Sequence, residues 1–342
     1  MYLQLNNIFL QFIVIYVIIT SGGDIMKHKL YFNLMLLLLL SSLIFLISCD
    51  TTINTQYFYS DADSYILGSG NADAETIKHI DVDWIDGNVF VDSSATNKIS
   101  FHETYGSDIT DDLKMHYLIS GNTLYIKFAK STKSLIYNSS KKNLYINIPN
   151  TITLDSFECN TVSSSTTIKE LIADTIHIDS VSGTIDCYNL KSKYITLDST
   201  SGNIYSKTVS TTEFSIESTS GKVNIENIKS STLDIETTSG NILCTNLEID
   251  NVNTSSSSSS LILRFKESPS SIKVDSISGN IYLYLPREMK FMMNYDTVSG
   301  DLSHEFNLSK DYNDLYEYAT IDPVSHLNIK SISGNLNIDY NN

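Results

Sequence analysis

Counted from a recurring Ser-Gly step, a carboxylate stands fifteen residues further on in copy after copy: Asp179, Asp198, Glu217, Glu236 and, one residue late, Asp275. On neighbouring strands about 4.8 Å apart, such a line can gather cations, or it can act as a solvated edge that keeps sheets from sticking. No Asp-x-Asp-Gly loop supplies the further oxygens of a calcium site, which favours the edge. The seven histidines, at 28, 79, 102, 116, 177, 304 and 326, show no His-x-x-x-His spacing, and no Cys-x-x-Cys occurs. No metal and no cofactor is therefore expected. Ser139-Ser140-Lys141-Lys142 fits the Ser-x-x-Lys of penicillin-binding enzymes but lacks the Lys-Thr-Gly partner. A Gly-x-Ser-x-Gly elbow and a phosphate-cradling glycine loop are both missing, so no catalytic residues are assigned.

Cys49 is the residue with the most specific chemistry. From Met26 the chain carries a basic start at Lys27 and Lys29, an apolar run from Leu34 to Ile47, and then Ser48-Cys49. This is the layout of a secretory signal peptide, too short for a comfortable membrane span. Its end, Leu46-Ile47-Ser48-Cys49, resembles the bacterial lipobox. The resemblance implies cleavage before Cys49 and acylation of its thiol, making the chain an exported lipoprotein attached to a membrane of the bacterial cell envelope. Residues 1–25 hold another apolar run, Ile8 to Ile19. Ser21-Gly22-Gly23 can be encoded by a purine-rich run at ribosome-binding distance from Met26, so residues 1–25 are read as an extension ahead of the true start. If translated, they would make a two-segment membrane anchor.

Beyond the cysteine, residues 49–78 are rich in Thr, Asn, Ser, Asp and Gly and read as a flexible tether. Residues 79–150 alternate apolar and polar in Ile80-Asp81-Val82-Asp83-Trp84, Asn88-Val89-Phe90-Val91, Asn97-Lys98-Ile99-Ser100-Phe101, Thr123-Leu124-Tyr125-Ile126-Lys127 and Leu144-Tyr145-Ile146-Asn147-Ile148. Period-two alternation between Asp86-Gly87 and Ser120-Gly121-Asn122 turns predicts half-buried strands.

Residues 151–342 contain a repeat. Val181-Ser182-Gly183-Thr184 returns as Thr200-Ser201-Gly202-Asn203, Thr219-Ser220-Gly221-Lys222 and Thr238-Ser239-Gly240-Asn241, 19 residues apart each time. Ser164 and Ser259 keep the phase without glycine, and Gly279, Gly300 and Gly334 follow at 20, 21 and 34 residues. Two and four residues after the glycine stand apolar positions such as Ile185 with Cys187 and Val223 with Ile225, and twelve and fourteen after it stand Ile195 with Leu197 and Leu233 with Ile235. Spacing by two marks strands with one buried face. A 19-residue copy cannot bury that face alone, but coils stacked in register can. The prediction is an all-β fold, a right-handed parallel β-helix of 19-residue coils with an N-terminal β-strand cap region, and an antiparallel sandwich is its rival. Cys159, Cys187 and Cys244 should then be buried free thiols.

Those copies, with the strand-and-proline segments Leu144-Tyr145-Ile146-Asn147-Ile148-Pro149 and Ile281-Tyr282-Leu283-Tyr284-Leu285-Pro286, resemble the "putative adhesin" domain DUF4097 over roughly residues 79–342. The resemblance implies a cell-envelope β-helix and brings no catalytic residues. The sequence departs from it at Ser164 and Ser259 and in the long interval before Gly334.

That interval holds His304, Tyr312, Tyr316 and Tyr318 among acids, the composition of a loop for protein or glycan contact, or of an end cap. With 39 Asp and Glu against 23 Lys and Arg, a net charge of −16, the surface repels phosphate backbones, so no nucleic-acid partner is expected. The expected partners are the membrane, through the lipid, and an envelope protein or glycan. The reading is a non-enzymatic adhesin-like scaffold for binding or envelope signalling. A polysaccharide lyase or hydrolase, or a plain spacer, is the alternative.

Overall fold

The computed structural model describes residues 53–106, 108–137, 142–310, 316–318 and 325–341. Strands make up nearly all of its regular structure, with two 3-10 turns at Ala62–Ser64 and Asp111–Leu113. The strands predicted in the first half are present as His79–Trp84, Asn88–Ser94, Lys98–Thr104, Thr123–Lys127 and Asn143–Pro149.

In the repeat region each copy makes one coil. A first run, such as Ile185–Lys191, leads into a second, such as Tyr194–Ser199. In the middle of the stack the two fuse into the 17-residue strands Val223–Ser239 and Ile242–Ser258. Pairing is parallel with a 19-residue offset: Ile185 faces Ile204, Ile204 faces Val223, Val223 faces Ile242, and Ile242 faces Leu261. The antiparallel sandwich is thereby excluded for these strands. Val223 is 1% exposed, as a closed interior requires. Ile195, Phe214, Leu233 and Val252 form a second buried line, and Leu197, Ile216 and Ile235 a third.

The glycine column has a steric cause. A Cβ on Gly202 would lie 1.8 Å from the Gly183 carbonyl oxygen, and one on Gly221 would lie 1.8 Å from that of Gly202. The carbonyl of the preceding coil occupies the place a side chain would take. The Ser and Thr residues beside this turn do not chiefly bond one another, as stacked hydroxyls would. Ser180, Ser199 and Ser218 donate to the carbonyls of Gly183, Gly202 and Gly221, at 3.0, 2.9 and 3.2 Å, closing each turn locally. A Ser-to-Ser ladder bond is found at Ser256 and Ser276, 3.4 Å.

Both ends of the stack depart from sequence order. Strand Ser325–Ser333 lies between Ser271–Ser278 and Phe291–Ser299, parallel to both, and Leu336–Tyr340 lies between Ile281–Leu285 and Leu302–His304. The coil carrying Gly334 is therefore inserted between its two predecessors, which accounts for the 34-residue interval. At the other end, His79–Trp84 sits between Thr123–Lys127 and Leu154–Thr161, and Asn88–Ser94 between Asn143–Pro149 and Ser165–Ile168. Antiparallel strands then cover the outermost coil: Lys98–Thr104 on Asn143–Pro149, and His116–Ser120 on Thr123–Lys127.

The stretch expected to be a tether differs from that expectation from Ile53 onward. Ile66–Leu67 pairs with His116–Ser120, Gly70–Asp73 pairs with Lys98–Thr104, and Ala72, Ala74 and Ile77 are buried. Its strands pair with partners about 25 to 50 residues away, a pairing that local composition does not reveal. Within this cap Lys142 and Glu103 form an ion pair at 2.8 Å with side chains 1% and 4% exposed. The Lys142 ammonium also donates to the carbonyls of Leu113, at 2.7 Å, and Phe128, and lies over the Trp84 and Phe128 rings. Burial pulls this ammonium down to about 8, against the opposing pull of Glu103.

Candidate binding surfaces

Alternation along the second run of each coil turns every other side chain outward, so register converts a 19-residue period into a line on the surface. Asp179, Asp198, Glu217 and Glu236 are consecutive partners in that register, with Ser255 and Asp275 continuing the column. They flank a shallow groove of about 350 Å³ whose other wall carries Thr200, Thr219 and Thr238. Asp198 is the most enclosed of the four. Burial raises its carboxyl, His177 at 3.8 Å opposes that, and Glu217 and Asp179 raise it further. Like charges in one line repel, so this face attracts counter-ions from solvent at some cost to the stack. The column lies on an outward sheet face, not at an open edge.

A second groove, of about 600 Å³, was not anticipated. It follows a bend inside the first run of each coil, where Asn189, Thr208, Asn227 and Asn246 all have positive φ, from 49 to 63°. Asparagine tolerates this conformation better than most residues, which is the physical reason for the column. Asn246 donates its side-chain amide to the Asn227 side-chain oxygen at 2.9 Å. Leu190, Val209 and Ile228 lie beneath the groove, buried in the core, and Lys191, Lys229, Glu248 and Lys266 stand along it. The signal was present in the sequence as Asn six residues after three of the glycines.

The residues singled out beforehand are divided by the structure. Cys49 and Tyr312 lie outside the described residues. His304 ends strand Leu302–His304, exposed, with its ring Nδ1 2.7 Å from the Phe306 carbonyl oxygen. Tyr316 and Tyr318 belong to a short strand paired antiparallel to Phe291–Met293. The Tyr318 ring packs edge-on to Phe306 at 5.0 Å and is tilted against Phe291 at 5.9 Å. These two tyrosines close the end of the core. The three remaining cysteines are free and buried, and burial pushes the Cys159 thiol up to about 12 and those of Cys187 and Cys244 higher still.

A search of the curated proteins gives no match. Among solved structures, the chain is similar to a "putative lipid binding protein" of Parabacteroides distasonis at 15% identity and a TM-score of 0.45, covering 78% of this chain and 95% of that one. It is also similar to a "putative adhesin" of Bacteroides fragilis, at 16% identity and a TM-score of 0.37, covering 80% and 97%. A "putative cell adhesion protein" of Clostridium sporogenes matches at 10% identity and a TM-score of 0.23, covering 81% and 99%. The family model described as Toastrack DUF4097 matches residues 77–339, which span the stack from its first coil to its inserted one. The chain belongs to the Toastrack DUF4097 family.

Proposed function

We propose that this protein is a lipid-anchored scaffold of the bacterial cell envelope, without catalytic activity, whose coils present a repeating surface to an envelope protein or glycan. The observation that carries this reading is the repetition itself: both grooves are built from the same position of successive coils, so their chemistry recurs about every 4.8 Å. A repeating surface suits an extended or repeating partner, whereas a lyase or hydrolase needs a local convergence of unlike groups. The coils wind right-handed, following the crossover rule for parallel strands. Anchoring is supported by the sequence from Lys27 to Cys49, with the lipid on Cys49.

Detergent phase separation of the wild-type protein and of Cys49→Ser tests the anchor. Wild type should enter the detergent phase and label with palmitate, and the variant should do neither. Unchanged partitioning and labelling of Cys49→Ser would refute lipidation. Depolymerisation of envelope polysaccharide by the purified protein would refute the non-enzymatic reading.

A further inference from the structure

We infer that the groove along the asparagine bend is a binding site for a linear anionic polysaccharide whose acidic groups recur on about every second coil. In a chain of net charge −16, this groove gathers Lys191, Lys229 and Lys266 against the single carboxylate of Glu248. Lys229 and Lys266 lie 3.7 and 2.5 Å from Glu248, with side chains 74% and 62% exposed, and Lys191 is exposed as well. Lys191 makes no ion pair among those described, and the exposed Lys229 and Lys266 share the one Glu248 carboxylate, for which an incoming anion would compete.

Register sets the spacing. Lys191 faces Ser210, and Ser210 faces Lys229, so the two lysines stand two coils apart, roughly 10 Å at the inter-strand distance. The opposite wall repeats a side-chain amide at Asn189, Asn227 and Asn246; these donate to the Lys169 carbonyl, to Glu226 and to Asn227, and the second N–H of each amide is left for a sugar hydroxyl. A peptide strand has less to gain here, because the backbone of these coils is already paired from coil to coil. A nucleic acid would carry its charge more densely than lysines on alternate coils can match.

This inference rests on the scaffold reading and names the ligand class of one of its surfaces. Cys49→Ser partitioning tests the anchor without touching this groove, so the two fail separately. Full-length protein in detergent micelles would be titrated with hyaluronan oligosaccharides, a linear polymer acidic on alternate units, with their carboxyl-reduced form, and with an oligothymidylate of equal charge. We expect saturable binding of the first, weakened at least tenfold in Lys191→Glu/Lys229→Glu, weakened by added salt, and unchanged in Lys273→Glu, which alters the acidic face. Both variants change exposed side chains, and circular dichroism checks that they remain folded. Absence of saturable binding, equal affinity for the carboxyl-reduced polymer or for oligothymidylate, or a double variant that binds as wild type would each overturn the inference.

Discussion

Lys142 shows how one residue sets a property of the domain. Its ammonium is held by Glu103, two carbonyl oxygens and two aromatic rings, yet desolvation keeps its folded value near 8, below the ordinary 10.5. Between those values the unfolded chain binds more protons than the folded one at this site, so this group adds stability as pH rises through the window. Its contribution is complete above the unfolded value. Equilibrium denaturation from pH 7.5 to 10.5 should show this upward trend, and Lys142→Met should flatten it. The same variant should lose about 3–5 kcal/mol at pH 7, because Glu103 is left charged and buried, and a Lys142→Met/Glu103→Leu double variant should recover much of the loss. Recovery no better than the single variant would show that the pair is not the source. The cysteines give a second residue-scale expectation. Their thiols, buried and raised in pKa, should resist an aqueous thiol reagent in the native protein and all react on unfolding.

The coil is the next scale, and its period was legible in the sequence because the glycines at 183, 202, 221 and 240 and the inward aliphatics beside them answer to the same neighbour one coil away. Val223→Ala should cost about 1–3 kcal/mol through lost burial and a small cavity. Val223→Asp should prevent folding, since a charge would enter the interior without a partner. Gly202→Ala is a sharper test of stacking. Although it adds a single methyl group, that group would collide with the Gly183 carbonyl, and the cost should exceed the usual ~1–3 kcal/mol of overpacking. Thermal denaturation of the three variants checks the order, and a Gly202→Ala protein as stable as wild type would contradict the close approach. The asparagine bend was less legible. Three Asn and one Thr in a column are easily read as polar surface until positive φ shows what they do.

At the scale of the whole molecule, the ends make the stack differ from a simple solenoid. Stability in a plain repeat array is close to a sum of neighbour terms, so removing a terminal repeat costs one interface. Here the strands of 325–340 sit between two earlier coils, and removing them breaks two interfaces and opens the interior. A chain ending at residue 324 should therefore lose cooperative unfolding, seen as a fall in the urea m-value, well beyond what loss of one coil implies. Retention of the wild-type midpoint would show that the inserted coil is dispensable. Capping by antiparallel strands also covers outer edges that would otherwise template pairing with other chains.

The sequence by itself determined the parallel stack, its 19-residue register, its buried columns and the acidic line, because each depends on residues at a fixed chain separation. Tertiary structure alone decided what depends on which coil lies next to which. The 34-residue interval before Gly334 reads as an insertion along the chain, yet in space Gly334 lies against Gly279 and Gly300 lies against Gly334. The pairing of Gly70–Asp73 and of Tyr316–Tyr318 with distant strands, and the burial of Lys142, likewise join segments that share no period. A repeat fixes neighbours only while chain order and spatial order agree. At both ends of this molecule they part, because strands distant in the chain pair there and close the core.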